Sequence, residues 1–434
     1  MIYFVPVVSF SQDSFNIDKK YSISQLQTDY KNIRTILETQ HPRPYEFTPK
    51  EKFNLFLDSL YLTINHEMTE REFQFVVAQI IAQIHCAHTK LYPSKFLTEH
   101  FNDYFEAPSF KLFFSNEKAY LQNNFSSDTT IKLGAEILSI NDISIKEITH
   151  NFLARIHNEG SNQTFSYNRM NTGMYGLFPG ICDYPLIKSY KLEYINPSSS
   201  MKNYVNLKAM PFDDYEKLIY KDKKQDLEFY IVDSLSTGVL SVSTFKIRGQ
   251  TDTYFREYMS KTFEELKTKK IKNLIIDFRG NIGGWPINGT ALLKYIMKTP
   301  FAFFDTTTHG YAEFKKLTPL DSNRFTGNLY ILADGAGRSC TGMVLSFIKY
   351  YNLGLIIGEE SCTSPSTNGD NEDHVLPYSK LLFVCSRHIY EGPMRNSFIR
   401  GRGVMPDYKV NLSIDDILTG QDKYMKTALD MIKK

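Results

Sequence analysis

The stretch Asn273-Leu274-Ile275-Ile276-Asp277-Phe278-Arg279-Gly280-Asn281-Ile282-Gly283-Gly284-Trp285 decides how the chain reads. Leu274 to Ile276 is an apolar, β-branched run, and polar and glycine residues follow it at once, so a buried strand is predicted to end in a tight turn. Paired glycines there let the backbone approach a ligand closely. A second unit of the same construction lies downstream. Leu329-Tyr330-Ile331-Leu332 is followed by Ala333-Asp334-Gly335-Ala336-Gly337-Arg338, which delivers Ser339-Cys340-Thr341-Gly342 to a helix-like segment ending near Tyr351. Ser339 then stands at a helix N-terminus, where free amides and the helix dipole favour developing negative charge. The amide of Cys340, with that of Gly283 or Gly284, is suited to hold the oxyanion of a tetrahedral intermediate.

A serine beside a predicted helix start is ordinarily an N-cap. Two glycine turns after buried strands favour the nucleophile instead. Outward from these turns the pattern alternates. Strands are predicted over Leu240 to Phe245, Asn273 to Asp277, Leu329 to Ala333 and Leu353 to Ile357. Helices are predicted near Asp252 to Lys267, Asn288 to Met297 and after Ser339. Periodicity alone gives an α/β sheet with crossover helices. Val375 to Tyr378 and Leu381 to Ser386 read as a closing hairpin.

The Asp277-to-Gly284 turn, the Ser339 turn, Gly358-Glu359-Glu360 and Gly403-Val404-Met405-Pro406-Asp407 resemble the C-terminal processing peptidases. That serine protease family includes the tail-specific protease and the tricorn core protease. His41-Pro42-Arg43-Pro44-Tyr45 and Ile84-His85-Cys86-Ala87-His88-Thr89 resemble segments of its bacterial envelope members, so the resemblance spans most of the chain. It implies a crotonase-like core, Ser339 as nucleophile and peptide-bond hydrolysis without a metal or organic cofactor. The processing branch activates its serine with a lysine just after the Gly-Glu turn, where this chain has Ser364. The tricorn-like branch uses a histidine from the amino-terminal half, and His88 matches that motif, so His88 is the implied general base. The serine preceding that histidine is here Ala87, and the slot of the tricorn acid is here Arg400. Glu360 and Glu391 are the candidate orienters of His88, with a Ser-His dyad helped by a backbone carbonyl as the other arrangement. His85 competes with His88 for the base. Cys340 competes with Ser339 for the nucleophile. Glu359 and Glu360 also read as a solvated loop pair.

Three helices are predicted before residue 90. One covers about Ile23 to Glu38, one opens at a Thr48-Pro49-Lys50-Glu51 capping box, and one opens at Thr69-Glu70-Arg71-Glu72. The third collects Phe73, Val76, Val77, Ile80, Ile81 and Ile84 on one face, with His88 just beyond its end. From Phe110 to Met210 short alternating runs predict a β-rich unit. There Leu133-Gly134-Ala135-Glu136-Ile137-Leu138-Ser139-Ile140-Asn141-Asp142 resembles a PDZ strand, with Asp142 in place of its usual glycine. The resulting division is a leader remnant (1–20), an N-terminal helical domain (21–105), a PDZ-like β-rich domain (106–212) and a crotonase-like catalytic core (213–434).

With 434 residues, 42% hydrophobic and 14% aromatic, the chain fills sizeable cores in two or three domains. A net charge of +2 gives no electrostatic indication of nucleic acid or an acidic membrane surface as partner. No run is long enough to span a bilayer. Met1 to Gln12 reads as the tail of a secretory signal, hence a secreted or periplasmic location, or else as an apolar strand. Cys86, Cys182, Cys340, Cys362 and Cys385 lack metal-ligand spacing and read as buried or free thiols. The expected partner is a peptide or protein substrate. An inactive family member that binds peptides or apolar ligands, and acyl-coenzyme A chemistry on the same fold, are the other classes considered.

Overall fold

Strand Asn273–Asp277 is buried along its whole length because it sits inside a six-stranded sheet with covered faces. The spatial order is Leu227–Val232, Thr237–Val242, Asn273–Asp277, Asn328–Ala333, Leu355–Gly358 and Tyr408–Lys409. The first pair is antiparallel and every later pair is parallel. Parallel neighbours need crossovers, and helices Tyr254–Thr268, Pro286–Ile296 and Cys340–Tyr350 supply three of them. Side chains alternate across the sheet as a period of two requires. Leu274 and Ile276 join the large core containing the three crossover helices, whereas Ile275 joins a smaller core closed by helix Lys423–Ile432. The computed structural model describes residues 16–172, 187–219, 225–247, 249 and 253–434. The apolar Met1 to Gln12 stretch and Cys182 lie outside them.

Because the strands are parallel, the turns after Asp277, Ala333 and Gly358 open at one edge of the sheet. That edge is where open α/β sheets place ligands. Predicted and observed elements agree within a few residues here. The strand predicted to reach Phe245 stops at Val242, and Phe245 instead bridges to Gly284.

The β-rich unit is an antiparallel sheet of Phe110–Ser115, Lys118–Asn124, Glu136–Ile140, Ser189–Ile195 and Lys202–Lys208, around its own core. Asn116 and Glu117 (φ 50° and 61°) close its first hairpin, and Asn141 and Asp142 (φ 51° and 66°) close a short second one. Two successive left-handed residues match the twist of the flanking strands. Asp142 therefore occupies a conformation that suits glycine but that Asp tolerates.

Helices Ile23–Gln40, Lys50–Leu62 and Glu70–Gln83 form the N-terminal layer. The Thr69 capping box is present in both directions. The one expected at Thr48 is absent: Pro49 caps the second helix without a side-chain bond, and Thr48 Oγ1 instead accepts from Gln83 Nε2 at 2.9 Å. The closing hairpin is longer than predicted, pairing Ser366–Val375 with Leu382–Glu391. Residues 376–381, which include four of the ten residues predicted as strand, form its tip. Strand Lys90–Tyr92 adds to this hairpin, and Leu376, Leu381, Phe383 and Cys385 share a core with the N-terminal helices. A segment near the chain's end thus anchors the loop that carries His88.

Candidate active site

Ser339 has φ 58° and ψ −124°, a backbone conformation that costs about 1–3 kcal/mol for a residue with a Cβ and is kept where the surroundings fix it. Those surroundings are visible. Its amide donates to Thr363 Oγ1 at 2.9 Å, and Thr363 N in turn donates to Gly337 O at 3.1 Å. A Cβ on Gly283 would lie 2.5 Å from Arg338 O and 2.8 Å from Ser339 Cβ, so the first turn touches the second only because residue 283 is glycine. Ser339 does not cap its helix through its side chain, and its hydroxyl makes no hydrogen bond among the described residues.

The side chain of Asn281, fully buried, sets the spacing between the turns. Its Oδ1 accepts from Gly283 N (2.8 Å) and from Thr341 Oγ1 (2.7 Å), and its Nδ2 donates to Val242 O (2.8 Å). The Gly283 amide is therefore committed and is not a free oxyanion donor. The amides of Gly284 and Cys340, the first residue of helix Cys340–Tyr350, bond to nothing among the described residues. Asp334 ties the turns together a second time, accepting from Gly280 N (3.1 and 3.0 Å) and Ala336 N (3.0 Å). Glu359 accepts from Gly335 N at 3.3 Å. Burial, then the neighbouring Asp334 charge, pushes the Glu359 carboxyl up to about 7. Glu359 is thus part of the scaffold rather than a solvated loop residue.

His88 is buried and lies on the loop beyond the third helix, where Ala87 O accepts from Arg338 Nη1 at 3.2 Å. The residue before His88 is therefore bonded to the residue before Ser339. His88 Nδ1 faces Thr367 Oγ1 at 3.4 Å, and that hydroxyl donates onward to Asn368 O at 3.3 Å. With the hydroxyl proton so directed, Thr367 Oγ1 is placed to accept from Nδ1, the tautomer that leaves the Nε2 lone pair available. Burial, then the charges of Arg338 and Lys90, holds the His88 pKa well below the usual histidine range. His88 and Ser339 are not hydrogen-bonded to each other at rest, a separation common before substrate binds.

Neither carboxylate expected to orient His88 does so. Glu360 accepts from Arg402 Nε (2.8 Å), Arg402 Nη2 (2.6 Å) and Gly403 N (2.8 Å), which spends both its oxygens. Glu391 is held by Arg43, by Arg395 Nε at 2.9 Å and by Thr307 Oγ1 at 3.0 Å. Burial alone would raise its pKa, but the bonds from Arg43 and Thr307 keep the carboxyl below its usual range. Arg400, in the slot of the family's acid, pairs with Glu46. Thr367 fills the position at Nδ1, and a polar residue on an alternating strand is its only signature in the sequence. The competitors also fall away. His85 Nδ1 bonds Asn158 Oδ1 at 3.1 Å. The Cys340 thiol is buried against Gly289, its Sγ 3.6 Å from Trp285 O, and burial pushes its pKa far up, which suppresses the thiolate. Ser364, where the processing branch has its lysine, is buried. The four described cysteines are buried free thiols, and the described residues contain no cluster suited to a metal.

Residues 236–410 match the family model described as peptidase family S41. This part of the chain is similar to peptidase family S41. The matched span contains both glycine turns, Ser339, Thr367 and both carboxylates, while His88 lies outside it. No curated protein sequence matches the chain. Among solved structures, mature CPAF is similar over 95% of this chain and 98% of its own (13% identity, TM-score 0.64), and CPAF complexed with lactacystin over the same shares (12% identity, TM-score 0.66). A putative peptidase from Parabacteroides merdae is similar over 95% of this chain and 97% of its own, at 12% identity and TM-score 0.50. At these identities the likeness is one of fold. The matched span is thus that of a peptidase family. No described helix is long and apolar enough to cross a membrane.

Proposed function

We propose that the chain is a serine peptidase in which Ser339 is the nucleophile and His88 the general base. His88 Nε2 takes the Ser339 hydroxyl proton as Oγ attacks the scissile carbonyl carbon. The carbonyl π electrons move to oxygen, where the amides of Gly284 and Cys340 receive the charge. The intermediate collapses, the amine leaves with the proton returned by His88, and an ester remains on Ser339. Water, deprotonated by His88, then attacks that ester, releasing the acid and restoring Ser339. Thr367 takes the place of an acid, fixing the ring tautomer without supplying a negative charge.

The observation that carries this reading is the strained Ser339 at the start of an 11-residue helix, beside two amides that bond to nothing else. The Arg338 bond to Ala87 O supports His88 as its partner. Within the same proposal, residues 213–434 are a crotonase-like core, 106–212 a PDZ-like insertion and 21–105 a helical domain, and the apolar first residues support export to the periplasm or outside. Digestion of a defined peptide library, followed by mass spectrometry, tests the reading. New termini are expected with the wild-type protein and not with Ser339→Ala. Peptides that bind both forms and are cut by neither would instead identify a binding protein on a peptidase scaffold.

A further inference from the structure

The parallel sheet fixes the Ser339 turn, whereas His88 arrives from another layer, and the two side chains share no hydrogen bond. Their separation is set by whatever spans the two layers. The Arg338 bond to Ala87 O is one such link. A denser set comes from Asn158 to Thr164, the approach to helix Thr164–Asn171. Its first three residues bond in turn to the loop that carries His88. Asn158 Oδ1 lies 3.1 Å from His85 Nδ1, Glu159 Oε2 accepts from Ala87 N at 3.1 Å, and Gly160 N donates to His85 O at 3.1 Å.

The chain then turns, with Asn162 N donating to Glu159 O at 3.0 Å, and engages the other side. Asn162 is fully buried. Its Nδ2 donates to Ser361 O at 2.6 Å and to Cys362 O at 3.0 Å, and its Oδ1 accepts from Thr164 N at 2.9 Å. Those two carbonyls lead directly into Thr363, whose hydroxyl receives the Ser339 amide at 2.9 Å. Removing the Asn162 amide takes the donor from two buried main-chain carbonyls at once. The packing leaves no slack around these bonds. A Cβ on Gly160 (φ 54°) would lie 2.2 Å from Gly401 Cα, and one on Gly335, in the Ser339 turn, 2.6 Å from Thr164 O. Glu159 meets a main-chain amide, so an uncharged side chain with an oxygen in the same place can serve as acceptor.

We propose that Asn158 to Asn162 form a brace that sets the distance between His88 and Ser339, with Glu159 positioning the His88 loop and Asn162 the Ser339 turn. The proposal rests on Ser339 and His88 being the reacting pair, but amide exchange tests the brace apart from reactivity. Hydrogen–deuterium exchange with mass spectrometry compares the wild-type protein with Asn162→Ala, Glu159→Ala, Glu159→Gln and Leu192→Ala. The last removes a fully buried side chain from the β-rich core and controls for a general loss of stability. Asn162→Ala is expected to speed exchange in both segments 84–89 and 336–341, Glu159→Ala in 84–89, and Leu192→Ala in neither. Fluorophosphonate labelling of Ser339 supplies the second readout. Its rate constant, unlike its amplitude, does not follow the folded fraction, and it is expected to fall about 10- to 100-fold in Asn162→Ala and Glu159→Ala. Glu159→Gln and Leu192→Ala stay near the wild-type rate constant. Exchange that responds as expected in a protein whose Ser339 is never labelled would sustain the brace while defeating the peptidase reading. The proposal is overturned by unchanged exchange in both segments of the alanine variants, or by the same exchange response in Leu192→Ala. Wild-type labelling rate constants in Asn162→Ala and Glu159→Ala, or a Glu159→Gln protein as slow as Glu159→Ala, would overturn it equally.

Discussion

The proposed nucleophile side and the proposed base side of the site are built in different ways. On the nucleophile side, Asn281, Asp334 and Thr363 each spend their polar atoms holding one turn against another, and all three turns leave neighbouring strands of one parallel sheet. On the base side, His88 comes from the N-terminal layer, Thr367 from the late hairpin and Arg338 from the core, and no carboxylate completes the set. The first half is fixed by sheet geometry and tolerates little change. The second is an assembly of distant segments in which an uncharged hydroxyl stands where a charged partner is usual, so its parts differ more in importance.

The largest effect is expected from the reacting pair. Ser339→Ala and His88→Ala each lower kcat/KM toward the residual level, on the order of 10^4-fold or more, while circular dichroism and melting temperature stay near wild type. Next comes the scaffold of the nucleophile side. Asn281→Ala leaves the Gly283 amide, the Thr341 hydroxyl and the Val242 carbonyl without their buried partner. A loss of about 2–4 kcal/mol in urea denaturation is expected, with activity falling alongside it. Thr367→Val probes the base side and removes one uncharged hydrogen bond. A roughly tenfold loss of kcat/KM with little change in stability is expected, far below the cost of removing a carboxylate from a triad. A loss as large as that of His88→Ala would erase the contrast between the halves.

Two pH profiles sharpen the comparison. His88 acts when neutral, and its pKa is depressed, so the acid limb of kcat/KM should lie below pH 6.5, measured with a substrate that does not titrate there. Glu359 acts on stability rather than on rate. Its pKa is raised to about 7, so the protonated form is favoured in the folded state. Its contribution is complete below about pH 4.5, declines as the unfolded chain releases the proton, and is gone above pH 7, a swing on the order of 3 kcal/mol. Glu359→Gln should flatten that part of the stability curve, read from urea midpoints at pH 5 and pH 8.

The same contrast explains what was legible in the sequence. The core strands and both glycine turns were readable because Leu274-Ile275-Ile276 and Leu329-Tyr330-Ile331-Leu332 carry a local signal, and a parallel sheet brings their ends together by rule. The capping box at Thr69 was readable for the same local reason, while that at Thr48 failed because Gln83, 35 residues away, took its hydroxyl. Which glycine amide stays free depended on the Asn281 side chain, and a spacing argument does not contain it. The partner of His88 was illegible because it lies 279 residues away, on a part of the hairpin outside the predicted strands. Glu360 and Glu391 had the right chemistry, but each was already claimed by arginines that only the fold brings near.

The central claim is that Ser339 is activated by His88. Treatment with a fluorophosphonate, followed by intact and peptide mass spectrometry, tests it most directly when run beside Ser339→Ala and His88→Ala. The account predicts one adduct on Ser339 in the wild-type protein and none in either variant. A wild-type protein that stays unlabelled, or labelling of Ser339 that survives His88→Ala, would contradict it.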